Sequence, residues 1–215
     1  MKPVAMKSTL CGAVAALIGL AGIGGCTHDS NATALDAALH TYLAARGDLC
    51  LAKSTWPIDL TQHEIDSGAR NALQLPVLER LGLASSTVAE VDLDDEGTPH
   101  HVKVRRYALT DAGRTFYIAR SSGDGARRGD FCAARLSLDR IVGWELHGSG
   151  AGQQAVVTYT YRVDAAPWTK DAEVQKVFPM VAGVIRGVGT AQLQETFVRR
   201  DAGWIAVDLL GPAGT

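Results

Sequence analysis

Three stretches of the chain hold residue types that do chemistry. His147 stands beside Gly148-Ser149-Gly150, and a Ser next to a His invites a hydrolase reading. A nucleophile elbow needs Gly-x-Ser-x-Gly on a strand-to-helix turn. Here there is only a Gly-rich turn, and neighbours in sequence are not a dyad in space. Asp92-Leu93-Asp94-Asp95-Glu96-Gly97 places oxygen ligands at alternate positions before a glycine, as a calcium loop does. Its twelfth position is Lys103 where that loop needs Glu, and a hairpin turn accounts for the same residues. His100 and His101 are adjacent, so on a strand they point to opposite faces. His28, His40, His63 and His147 are scattered, without the spacing of a zinc site. No catalytic residue, cofactor or metal is assigned on these grounds, and a non-enzymatic protein is expected.

The cysteines are more informative. Lys2 and Lys7 precede an uncharged run from Thr9 to Gly25 that carries Leu10, Val14, Leu17, Ile18, Leu20 and Ile23. A bilayer span needs about 20 apolar residues, so this run is short and has the pattern of a secretory h-region. It ends in Ile23-Gly24-Gly25-Cys26, which resembles a bacterial lipobox with Ile23 where the family prefers Leu. Ordinary secretion and an uncleaved anchor are the alternatives; an ordinary cleavage site leaves the cysteine unexplained. The resemblance, to the lipoproteins of proteobacteria, implies removal of residues 1–25 as a signal peptide. It also implies a diacylglyceryl thioether on Cys26 and usually a third chain on its amine. Two or more chains anchor stably where one does not. Thr27 stands where the family's inner-membrane retention rule has Asp, which directs the anchor to the periplasmic face of the outer membrane.

Cys11 leaves with that segment, so Cys50 and Cys132 remain. In an oxidising periplasm one leftover pair reads as a disulfide; two buried thiols are the alternative. A bridge would close a loop of about 80 residues, worth roughly 4–5 kcal/mol in the chain-entropy picture. The formal net charge is −2 over 215 residues. That balance carries no basic nucleic-acid footprint, and the length suffices for one domain or two small ones.

The elements follow from periodicity. Residues 26–33 are short and polar and read as a tether. Leu35, Ala38, Leu39, Tyr42 and Leu43 repeat at helical spacing after Thr33, with Gly47 as the stop. Thr61-Gln62-His63-Glu64 is a capping box opening a helix from Gln62 to Leu73, and Pro76 starts another that ends at Gly82. The period then changes to two. Thr87, Ala89, Val91 and Leu93 share a face, and so do Val102 and Val104, with Lys103 and Arg105 opposite. Tyr107 and Leu109 switch parity, which predicts a bulge near Arg105-Arg106.

Leu78-Glu79-Arg80-Leu81-Gly82-Leu83, a hairpin, and Leu109-Thr110-Asp111-Ala112-Gly113-Arg114 together resemble a winged-helix domain over residues 62–120. The resemblance implies three helices and a wing bearing Lys103, Arg105 and Arg106, with Arg114 just beyond. In transcription factors such residues contact phosphates, but an exported chain meets no genome and a fold does not carry its function with it. These four residues form the candidate interaction surface, for an acidic partner or anionic headgroups; the alternative is a solvated strand face.

The expected class is α+β. A winged-helix-like part spans 34–120, a linker 121–130 (Ser/Gly/Arg-rich), and an α+β domain 131–215 with an antiparallel sheet and a helix on one face. In that last part Val157, Tyr159, Tyr161 and Val163 alternate, Val174 to Ile185 are helical with a restart at Pro179, and Asp201-Ala202-Gly203 joins two final strands. Tyr159, Tyr161, Trp168, Phe178 and Trp204 pack a core or line a pocket between sheet and helix. The expected function is a protein–protein interaction module in the envelope, of assembly, inhibitor or immunity type. The partners are the membrane, through Cys26, and an envelope protein. A periplasmic carrier of a small or lipidic ligand is the alternative.

Overall fold

Three leucines four residues apart, Leu35, Leu39 and Leu43, decide where the first helix lies. All three are buried, on the stripe that helical spacing brings together. The computed structural model describes residues 26–95, 98–121 and 127–211. In order it contains α1 (Cys26–Arg46), β1 (Asp48–Cys50), β2 (Ile58–Thr61), α2 (Gln62–Asp66), α3 (Arg70–Arg80), β3 (Ala84–Asp95) and β4 (Thr98–Leu109). Then come α4 (Asp111–Arg114), β5 (Tyr117–Ser121), β6 (Arg127–His147), β7 (Gln154–Ala165), α5 (Ala172–Val177), α6 (Pro179–Arg186), β8 (Gln192–Arg200) and β9 (Gly203–Ala206). The fold is mixed α and β, mostly antiparallel sheet curled into a half-barrel.

The larger sheet runs β1-β6-β7-β8-β9, with β5 also on β6. The helix that covers it is α1, whose leucines pack on Ala155, Val157, Tyr159, Phe197 and Trp204. The 174–185 helix was expected there. It is split into α5 and α6 at Pro179, and it sends Val174, Phe178 and Val181 into a different core. Gly47 ends α1 for a spatial reason: a Cβ there would meet the Leu43 and Leu136 carbonyl oxygens at 2.4 and 2.6 Å. The 26–33 segment, expected as a tether, is part of α1; it contains no Gly or Pro to interrupt a helix.

The second core joins Leu60, Leu75, Leu78 and Tyr107 to Phe131, Trp168, Phe178 and Val181. A boundary at 121–130 would cut through it. The Gly- and Arg-rich composition there belongs to the β5–β6 hairpin, Tyr117–Phe131 to Ser121–Arg127 in register, whose residues 122–126 lie outside the described residues. Turn composition and linker composition are the same, so the sequence alone does not separate them.

The small sheet runs β2-β4-β3. The capping box forms as expected: Glu64 N–H donates to Thr61 Oγ1 at 3.2 Å and Thr61 N–H to Glu64 Oε2 at 2.8 Å. The helix it opens stops at Asp66, and Gly68, at φ +64°, breaks the chain before α3. Pro76 does not start a helix but lies inside α3, at the cost of one backbone hydrogen bond. The bulge expected at Arg105-Arg106 is absent, because β3 and β4 keep one register from Ala84–Leu109 to Asp95–Thr98. The parity switch has another cause. Val104 is buried on one face of β4 and Tyr107 and Leu109 on the other. Gly113 closes the region: Thr110 Oγ1 accepts its N–H at 3.1 Å, and a Cβ there would lie 1.9 Å from the Leu83 carbonyl oxygen.

Candidate functional site

The four basic residues assigned to an interaction surface do not act alike. Lys103 and Arg105 alternate outward on β4 and are exposed. Among the described residues neither side chain has an ion-pair or hydrogen-bond partner. Their cross-strand neighbours on β3 are Glu90 and Val88, and Val88 is 76% exposed. Arg106 points to the other face and grips Asp59 of β2 with two bonds, Nε to Oδ1 at 2.8 Å and Nη2 to Oδ2 at 2.7 Å. That contact holds the Asp59 carboxyl below its ordinary value. Arg114 is occupied locally, by Asp111 of α4 at 3.3 Å and by the carbonyl of Leu109 at the end of β4 at 3.1 Å. Lys103 and Arg105 are therefore exposed and unpaired among the described side chains, and Arg106 and Arg114 act as fasteners.

The strands around them are unusually open. β2 pairs only with Val104 to Tyr107, and β3 is the outer strand of its sheet. Beyond Val104 the hairpin is a two-stranded ribbon. A free strand edge offers a row of unpaired N–H and C=O groups to another chain, and a lone hairpin is marginal in water. His101 at this end pairs with Asp92. Residues 96 and 97 of the calcium-like stretch lie outside the described residues.

Cys50 and Cys132 face each other across β1 and β6 with their sulfurs 2.01 Å apart, at disulfide distance. Around them is a constellation that sequence reading missed. Lys53 is 3% exposed, and its Nζ donates to Asn71 Oδ1 at 2.6 Å and to Gln74 Oε1 at 2.9 Å. Burial pushes its ammonium down to about 8, with the Arg70 charge adding and Asp130 opposing. Asp130 Oδ1 accepts the Lys53 and Phe131 N–H groups, both at 2.7 Å, and Oδ2 accepts that of Ala52 at 3.1 Å. Ala52 has φ 56°, a strained choice for a side-chain-bearing residue that these bonds hold in place. The Gln74 amide nitrogen donates to the Val177 carbonyl at 2.9 Å, and Arg80 meets Asp171 at 2.6 Å, so α3 is clamped to α5. One lysine in a turn has no periodicity to announce it; its burial depends on two amides about twenty residues later.

The other sequence candidates are placed apart. Tyr159, Tyr161 and Trp204 lie under α1. Trp168 and Phe178 belong to the other core, where Trp168 packs on Phe131 at 5.6 Å between centroids and on Phe116 at 6.0 Å. These five rings do not share a pocket. Burial raises Tyr159 to about 12. Ser149 sits in an exposed turn between β6 and β7, flanked by Gly148 and Gly150 at positive φ, with no helix after it. His147 lies 3.9 Å from Glu145. Among the described residues no three His, Cys, Asp or Glu side chains gather as a metal site, and no helix is long and apolar enough to cross a membrane. The lipobox before Cys26 lies outside the described residues. Compared with protein-family models, curated proteins and solved structures, the chain matches none of them.

Proposed function

We propose that this chain is an outer-membrane lipoprotein, anchored through Cys26 on the periplasmic face, whose β3–β4 hairpin is a protein–protein interaction module of assembly, inhibitor or immunity type. The observation that carries this reading is the open ribbon. Twelve-residue strands pair with each other but are backed by only four residues of β2. A partner strand laid along β3 would complete the ladder, the mode in which main-chain bonds give affinity and alternate side chains give specificity. Val88 supplies the apolar contact, and Lys103 and Arg105 select an acidic partner. The order β2-α2-α3-β3-β4, with sheet order β2-β4-β3, supports the winged-helix likeness, with the hairpin as the wing.

Photo-crosslinking in cells from positions 103 and 105, with adducts read by mass spectrometry, tests the module. One dominant protein adduct is expected. Arg105→Glu should cut the yield from position 103 at least tenfold without moving the melting temperature. Arg106→Ala should instead lower the melting temperature slightly, through loss of the Asp59 contact. Adducts only to lipid or lipopolysaccharide, or none, overturn the reading. The anchor has its own test. Tritiated palmitate should label the full-length chain, and Cys26→Ser should abolish the label and release the chain from the membrane fraction. A Cys26→Ser chain that keeps its label refutes the lipidation.

A further inference from the structure

The disulfide side of the molecule carries a second binding feature, away from the hairpin and independent of whether the hairpin docks a partner. Leu51 and Ala52 after β1, Arg70 and Gln74 of α3, and the start of α6 from Phe178 to Val181 enclose a cleft of about 240 Å³. Its wall is almost wholly apolar. Phe178 and Val181 come from the core, Cys50 adds the disulfide, and Met180 stands at the rim, 71% exposed. Methionine is the side chain that adapts to irregular apolar guests.

Arg70 is the single charged residue in that wall. Among the described residues it has no carboxylate partner and no hydrogen-bond acceptor. Its neighbourhood does not neutralise it. Lys53 is a nearby second cation, and Asp130, the acid acting on Lys53, already accepts three backbone N–H groups. Gln74 is already engaged with Lys53 and with the Val177 carbonyl. An unpaired guanidinium at the mouth of an apolar cleft is matched by one carboxylate, which it can take in two parallel bonds.

We infer that this cleft binds an apolar monoanion, a carboxylate on a short acyl chain, with its tail against Leu51, Phe178 and Val181 and its head on Arg70. The volume sets the length. A cleft of about 240 Å³ suits the tail of a short acid and not a full phospholipid chain. One guanidinium balances a monoanion; a phosphate dianion would call for a second free cation, and Lys53 is closed off behind Asn71 and Gln74.

The test uses the full-length chain held in phosphatidylcholine nanodiscs, with empty nanodiscs as the blank and a diazirine-bearing octanoate as the probe. Adducts should map to Leu51 and to the segment from Phe178 to Val181. Unlabelled octanoate should displace the probe at concentrations at least tenfold lower than octanol or octylamine. Arg70→Glu should cut labelling at least tenfold and Arg70→Lys should largely keep it; both are exposed substitutions whose fold is checked by the melting temperature. Met180→Glu, which sets an acid at the rim, should reproduce the Arg70→Glu loss. Equal labelling in Arg70→Glu, displacement by octanol as strong as by octanoate, or adducts absent from the cleft each overturns the inference.

Discussion

Replacing Cys50 and Cys132 together by alanine is expected to lower the unfolding free energy by about 4 kcal/mol, close to the chain-entropy value for so long a loop. The bridge spans 82 residues of sequence, so it removes many conformations from the unfolded chain. The native geometry around it is also held by other bonds. Leu51 N–H donates to the Phe131 carbonyl at 2.9 Å, and Asp130 accepts the Ala52 and Lys53 N–H groups. The effect therefore resides mainly in the unfolded state. In urea the midpoint should fall and the slope rise, because an unbridged chain exposes more surface on unfolding. Oxidised protein treated with reductant should reach the same midpoint as the double variant. Equal midpoints for wild type and variant would mean that the thiols are not bridged in the purified protein.

That bridge also shows what a sequence does and does not disclose. The pairing was legible because arithmetic leaves two cysteines. The capping box at Thr61 and Glu64, the restart at Pro179 and the turn before Gly203 were legible because each is local chemistry, decided within a few residues. The leucine stripe of α1 was legible as a buried face. Its partner was not: helical spacing says that Leu35, Leu39 and Leu43 meet something apolar, not that it is the face of strands that begin some ninety residues later. The same blindness placed a linker at 121–130, where composition marks a turn and only the register of Phe131 and Ala133 in the shared core reveals a hairpin. Arg106 and Arg114 looked like Lys103 and Arg105 because a positive charge carries no mark of its partner. Asp59 lies forty-seven residues before Arg106, and only the β2–β4 register brings them together.

Lys53 is the extreme case of that blindness, and its prediction is the most discriminating. In the unfolded chain its ammonium titrates near 10.5; in the fold, burial lowers this to about 8. Below pH 8 both states hold the proton, and the cost of burying the charge is fully present. Between pH 8 and 10.5 the unfolded chain binds a proton that the folded chain does not, so stability rises with pH. The slope is at most about 1.4 kcal/mol per unit, and the whole gain is roughly 3 kcal/mol. A neutral amine still donates to Asn71 and Gln74, so the cage survives deprotonation. Lys53→Met removes both donors and leaves two amide oxygens unpaired, a loss of about 2 kcal/mol at pH 7 after relief of the buried charge. The stability gap between wild type and Lys53→Met should then widen steadily from pH 8 to 10. Tyr42 and Tyr159, whose hydroxyls burial raises, pull stability the other way above pH 10, but they are present in both chains and cancel in the difference. A gap that stays flat across that window would place Lys53 in water, and with it would fall the closed cage that leaves Arg70 as the only cation of the cleft.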